Sequence, residues 1–280
     1  MKIITTVSEM QQQADDLRKQ GRTIGFVPTM GYLHEGHLSL IRTARSHADT
    51  VVVSVFVNPT QFGPNEDFAS YPRDIEGDEE KAEKAGADIV FYPEAEEMYG
   101  PGFSTSVQVE GLTNRLCGAS RPGHFKGVTT VVSKLFLIVK PHLAVFGQKD
   151  AQQAAVIRRM VSDLNFDISI ITAPIVREHD GLAMSSRNKY LSAQERKQAL
   201  ALHEALVSAR EMAEHGETKA EALVRHMQQR IEREPDARID YIEIVDTGTL
   251  EPVSTVHSRA LAAVAVYIGS TRLIDNCVLG

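Results

Sequence analysis

The sequence predicts an α/β protein: a Rossmann-like parallel-sheet domain over residues 1–175, then a smaller α+β domain over 176–280. Three observations carry this. Strand-like and helix-like runs alternate through the first 175 residues. Residues 50–58 (TVVVSVFVN) form a near-continuous β-branched run, the mark of a strand buried on both faces. After Val176 the alternation stops, and two long helical patterns lead into three strand patterns.

Taken in order, Ser8 and Gln11 read as the capping pair of a first helix to about residue 20. Residues 23–29 read as a buried strand through Ile24, Phe26 and Val27, broken at Pro28 and Gly31. A helix with Leu38, Leu40 and Ile41 on its apolar side then runs to about residue 48. The strand at 50–58 ends in Asn58-Pro59, because proline drives the residue before it out of helical geometry. Residues 74–85 form a charged, solvated helix, and 87–93 (ADIVFYP) a third strand. Residues 111–127 are rich in glycine and basic side chains, including Arg115, Arg121, His124 and Lys126. An apolar helix at 128–139 follows, then a fourth strand at 142–147; Lys149-Asp150 opens a helix to about residue 164. Residues 167–176 are the fifth strand. In the second domain, Ser192 with Glu195 and Thr218 with Glu221 have the spacing of capping boxes. Strands are expected at 239–246, 260–268 and 272–279, the last two joined by a Gly269-Ser270 hairpin turn.

Bulk properties narrow the function. A length of 280 residues supports a sizeable core and two domains. A formal charge of −7 and a pI near 5.8 argue against nucleic acid as a main partner. No stretch of about 18 apolar residues predicts a membrane span, and the amino terminus lacks the apolar core of a secretory signal. The two cysteines, Cys117 and Cys277, have neither metal-ligand nor disulfide-framework spacing and read as reduced thiols of a cytoplasmic protein.

The chemistry centres on residues 28–37, where a strand, a glycine-punctuated turn and a helix occur in that order. Such a turn lies at the carboxyl end of its strand, where open parallel sheets bind ligands. The free N–H groups of the helix start favour phosphate. His34 and His37 flank Gly36 there, so both imidazoles can donate to a phosphate chain while Gly36 admits close approach. There is neither a GxGxxG nor a GK pair, so phosphate binding is built otherwise. Blander readings stand beside these. The histidines could be a structural pair or half a zinc site, although no third ligand is evident. Gln61 could merely hydrogen-bond the Asn58-Pro59 turn, Ser185-Ser186 could be a cap, Lys149 an ordinary surface lysine, and Gln153 a solvated residue in a first helical turn.

Five stretches in order, PTMGYLHEGH, FVNPTQF, ASRPGHFKGV, GQKDAQQ and GLAMSSRN, resemble the pantoate–β-alanine ligase family of the HIGH/KMSKS nucleotidyl-transferring superfamily. The resemblance extends over essentially the whole chain. It implies an AMP-forming ligase in which pantoate's carboxylate attacks the α-phosphorus of ATP and β-alanine then attacks the adenylate. It also implies Mg²⁺ on the ATP phosphates and a homodimer. By motif match the catalytic donors are His34, His37, Lys149, Ser185, Ser186 and Arg187, with His37 the principal acid. ATP contacts are implied at Met30, Gly31, Tyr32, Leu33, His34, Glu35, Gly36 and His37. They continue at Gly147, Gln148, Lys149 and Asp150, at Val176, and at Met184, Ser185, Ser186 and Arg187. Gln61 and Gln153 are implied as substrate contacts, their neutral amides suiting pantoate's hydroxyls and carboxylate. The chain departs from the superfamily pattern at Glu35, where many relatives are apolar, and at Met184–Arg187, which lacks the first lysine of KMSKS and carries arginine at the second. Asp78, in DIEGDEE, is a candidate beside the metal. A tRNA-charging relative is the rival on the same scaffold, disfavoured by the −7 charge and the lack of an anticodon-binding domain. A non-catalytic ATP-binding regulator is the second rival.

Overall fold

The computed structural model describes residues 1–64 and 66–280. They form two compact units: 1–110, 121–147 and 156–174 in the first, and 111–120, 148–155 and 175–280 in the second. Two segments inside 1–175 thus group with the carboxyl-terminal unit. Buried Gln152 joins the two segments by donating to the carbonyls of Leu112 and Arg115, each at 2.8 Å. They are tied to the rest of the unit by Arg115 on Glu251 and by Asn276 on the carbonyls of Gln148 and Lys149.

The first unit is built on β1 (Lys2–Ile4), α1 (Val7–Lys19), β2 (Ile24–Thr29), α2 (Glu35–Arg45), β3 (Thr50–Val55), α3 (Ile75–Lys84) and β4 (Ile89–Phe91). A short α4 (Ala95–Met98) follows. The strands join β5 and β6, described below, in one six-stranded parallel sheet of order β1-β4-β3-β2-β5-β6. All six residues of β3 are buried, as its β-branched run requires. Val27, Ile41, Val51, Val53, Val90 and Val145 share one apolar cluster on the α2 side of the sheet. Strand order reverses between β2 and β5, the switch point where doubly wound sheets bind ligands.

The second unit contributes α5 (Cys117–Ser120). The chain then returns to the first unit for α6 (His124–Val139) and β5 (Leu143–Gly147). A 3₁₀ turn, Gln148–Asp150, leads into α7 (Ala151–Asp163), and β6 (Ser169–Ala173) completes the parallel sheet. The remainder is α8 (Ala193–Glu214), α9 (Ala220–Ile231), β7 (Ala237–Asp246), β8 (Ala260–Ile268) and β9 (Thr271–Leu279). The last three form an antiparallel sheet with β8 central. Leu202, Leu206, Leu223, Met227, Val264 and Val266 pack between this sheet and the two helices.

The α/β class and the layout of two dissimilar sheets are as expected, with local corrections. β1 was not anticipated: only Ile4 of its three residues is buried, too little for a periodic signal. The cap of α1 is Thr6, which accepts from Glu9 N–H at 3.3 Å, and not Ser8. The α8 capping box forms as read, with Ser192 and Glu195 bonding reciprocally at 2.8 and 3.2 Å. The second box does not; Lys219 is the N-cap of α9 and its N–H is taken by the Glu217 carboxylate. The helix expected at 128–139 begins four residues earlier, at His124. No helix among the described residues is long and apolar enough to cross a membrane.

Candidate functional site

In the first unit, the turn after β2 is held from three sides. Gly31 has φ +82°, and a Cβ there would lie 2.8 Å from Val55 Cγ1 and 2.9 Å from Asp78 Oδ2. Only glycine fits such a position without strain. Tyr32, with φ +52°, is also in the left-handed region, which costs a side-chain-bearing residue energy that its surroundings must offset. Asp78 does so: one carboxylate oxygen accepts Tyr32 N–H at 2.7 Å and the other Leu33 N–H at 2.6 Å. Thr29 accepts Gly31 N–H at 3.1 Å and donates to the Ser54 carbonyl at 2.8 Å.

Asp78, expected beside the metal, is tied to the backbone of the turn. It is 3% exposed and both its oxygens are engaged by the backbone of the turn. Burial raises its pKa, and the two amide hydrogen bonds oppose that rise. Among the described residues, no cluster of three or more His, Cys, Asp or Glu side chains could hold a metal ion.

The turn delivers His34 to the N-cap of α2 and His37 to its first turn. The imidazoles lie face to face, ring centroids 4.0 Å apart and planes 30° apart. His34 N–H donates to His37 Nδ1 at 3.4 Å. With Nδ1 accepting, a neutral His37 carries its proton on Nε2. Glu35, expected within the ATP contacts, has its side chain paired with Arg42 on the exposed side of α2.

Gln61 sits in a 3₁₀ turn, Pro59–Gln61, whose start is capped by buried Asn58. Gln61 donates to Met30 Sδ at 3.1 Å and accepts from Asn58 Nδ2 at 3.0 Å. The blander contact foreseen for Gln61 is thus present, together with one that joins it to the β2 turn. The Gln61 carbonyl accepts from His124 Nδ1 at 2.9 Å, so His124 Nε2 can receive Arg121 N–H at 3.1 Å. Arg121 grips Glu66 with two hydrogen bonds of 2.6 Å. Burial would raise the Glu66 pKa, but Arg121's hydrogen bonds and charge outweigh it and hold the group at about 2. Gly127 lets α6 come this close, since a Cβ there would collide with the Thr60 carbonyl oxygen. The basic stretch at 115–126 is therefore more than surface at Arg121 and His124. The pattern signalling this was RPGHFKG, two donors beside glycines, which has no periodicity to give it weight.

The second unit holds the other candidates. Lys149 lies in the 3₁₀ turn after Gly147, between Gln148 and Asp150, and is half-buried. Gln153 is half-buried in the first turn of α7, next to buried Gln152. Val176 and Met184 are brought together: the Val176 carbonyl accepts Met184 N–H at 3.0 Å, beside an antiparallel bridge between Arg177 and Ala183. Ser185 caps the following 3₁₀ turn, Ser186–Tyr190, by accepting Arg187 N–H at 3.2 Å. Ser186 is buried. Asn188 donates to the Ala183 carbonyl and to Glu178, at 3.0 and 2.8 Å, closing the loop on itself.

Comparison with known proteins agrees with this geometry. The family model described as pantoate-beta-alanine ligase matches residues 2–278. The pantothenate synthetase of Thermotoga petrophila is 58% identical over 280 residues, covering 100% of both chains. That of Geobacter sulfurreducens is 59% identical, covering 100% of this chain and 99% of the other. The crystal structure of pantothenate synthetase from Thermus thermophilus superposes with a TM-score of 0.94 at 48% identity, covering 99% of each chain. Pantoate-beta-alanine ligase from Francisella tularensis, solved with beta-gamma ATP and beta-alanine, gives 0.82 at 36% identity, covering 99% of this chain and 97% of that one. With the motif turns, the parallel sheet and a match over nearly every residue in agreement, the chain belongs to the pantoate–β-alanine ligase family.

Proposed function

We propose that the chain carries out this family's reaction, with the β2–α2 turn as its phosphate-binding element and Lys149, Ser186 and Arg187 as further candidate donors. The reaction is the ATP-dependent, AMP-forming condensation of pantoate with β-alanine. In the first step a pantoate carboxylate oxygen bonds to the α-phosphorus as the bond to pyrophosphate breaks. In the second, the amine of β-alanine attacks the acyl carbon, AMP leaves and the nitrogen loses a proton.

The observation that carries the reading is the paired-imidazole turn, pre-formed by Asp78 and Gly31 at the amino end of α2. Charge builds on the α-phosphoryl oxygens and the departing pyrophosphate, so donors fixed beforehand lower the barrier. His37, with its proton on Nε2, is the principal donor, and His34 and the free N–H groups of α2 assist. A helix end supplies roughly 0.3–2 kcal/mol and one well-placed oxyanion donor roughly 2.7–4, so side chains outweigh the dipole. Lys149, Ser186 and Arg187 add donors; Ser185 orders its loop as a cap. Met30 and Gln61, in contact at 3.1 Å, border the adenylate and its acyl group. Gln61 is a pantoate contact through a neutral amide, which leaves the nucleophilicity of the carboxylate intact, and the same chemistry suits Gln153.

Mg²⁺ is part of this reading. It would neutralise the β- and γ-phosphates, and it needs few protein ligands because it travels on the nucleotide. Homodimerisation and a cytoplasmic location also belong to the reading, the latter supported by two unpaired thiols, Cys117 and Cys277.

Exchange of labelled pyrophosphate into ATP tests the proposal. Exchange driven by pantoate alone, with AMP released once β-alanine is added, is expected. Exchange driven by an amino acid, or ATP binding without AMP release, would overturn it.

A further inference from the structure

Lys149 sits in a short 3₁₀ turn that lacks the repeated hydrogen bonds of an α-helix, so something else must fix its backbone. That something is Asn276 of β9. Its amide nitrogen donates to the carbonyl of Gln148 at 2.9 Å and to that of Lys149 at 2.9 Å. Its amide oxygen accepts from the Gln148 side chain at 3.1 Å. Two backbone carbonyls can only accept, so the orientation of the amide is set by its surroundings. Asn276 is 4% exposed. No other neutral side chain offers two donors and an acceptor in that volume.

The neighbouring residue does similar work on the second loop. Asp275, 3% exposed, binds Arg177 through two hydrogen bonds of 2.6 and 3.0 Å. Arg177 in turn donates to the Gly181 carbonyl at 3.1 Å, in the loop leading to Met184–Arg187. Asp275 also accepts the N–H of Asn276 at 2.8 Å, coupling the two anchors. Successive side chains of one strand thus hold the backbone of the Lys149 turn and that of the loop before Ser185.

We propose that Asn276 is a positioning residue for adenylation, acting through the backbone of Lys149. The inference rests on the donor role assigned above to Lys149. An asparagine that holds a catalytic lysine in place should influence rate more than binding, because misplacement by an ångström costs heavily in the transition state.

A double-mutant cycle tests it, read by single-turnover adenylation with ATP and pantoate, alongside the pantoate KM and thermal melting. Asn276→Ala is expected to slow adenylation by about 10- to 100-fold, with the pantoate KM changed by less than about 3-fold. In a Lys149→Ala background the same substitution should change the rate by less than about 2-fold, because the side chain it positions is gone. Gln198→Ala, which removes an equally buried polar side chain bonded to Asp236, should leave adenylation unchanged. The full effect of Asn276→Ala surviving in the Lys149→Ala background would overturn the proposal, as would a single-mutant rate within about 2-fold of the parent. Asn276→Ser serves if the alanine variant does not fold; failure of both would assign Asn276 to global stability and overturn it too. If Lys149→Ala alone leaves adenylation intact, it is the reading of Lys149 that fails.

Discussion

The carboxylate of Asp78 lies 2.6 Å from the backbone N–H of Leu33, 45 positions earlier in the chain. With its second bond, to Tyr32, it sets a carboxylate beneath the turn proposed above to receive polyphosphate. Each oxygen accepts one backbone N–H, so the carboxylate organises the turn.

Asp78→Asn would keep one acceptor and set an NH₂ group against the other amide. An unsatisfied buried N–H costs about 1–3 kcal/mol. The variant should melt lower by that amount and lose adenylation rate at saturating ATP. Unchanged melting together with an unchanged rate would remove Asp78 from the turn's support.

Gly31→Ala meets two obstacles together, a φ of +82° and contacts below 3 Å with Val55 and Asp78. Strain of this kind costs about 1–3 kcal/mol. Pantoate-driven exchange should fall at least about 10-fold, more than the fall in ATP affinity measured by calorimetry.

In the proposed mechanism His37→Ala removes a donor aimed at developing charge. The adenylation rate should drop about 10²- to 10³-fold, while the ATP dissociation constant changes by less than about 10-fold. Rapid-quench measurement of the pantoyl adenylate burst separates the two. An unchanged burst rate would take His37 out of the mechanism.

Glu66 gives a pH signature. Its folded pKa of about 2 lies below the ordinary 4.5, so ionised Glu66 stabilises the native state at pH above 4.5. That contribution declines as pH falls below 4.5 and is gone once pH passes through about 2. Melting of the parent and of Glu66→Gln, compared across this range, should show a stability difference that is constant near neutrality and shrinks in acid. A difference independent of pH would mean that Arg121 does not hold Glu66 ionised.

The layers of the fold were legible because the signals that report them are local. The near-continuous β-branched run at 50–55, interrupted by Ser54, reads as a strand covered on both faces, and the spacing of Ser192 and Glu195 reads as a helix start that the structure forms. Boundaries went astray where local signals were weak or duplicated: at β1, with one buried residue, and at Thr218, where a well-spaced hydroxyl lost the cap to its neighbour.

By itself, the sequence determined the α/β class and the family, and it named the candidate groups for the chemistry: paired imidazoles, neutral amides, a lysine and an arginine. Only the tertiary structure decided which side chains hold those groups in position. Asp78 under the turn, His124 on the Gln61 carbonyl and Asn276 on Lys149 act across separations of 45, 63 and 127 residues. Periodicity reports the face a residue presents within its own helix or strand. Which distant residue meets that face depends on how the elements pack, and a buried polar side chain acquires its role only when packing supplies its partner.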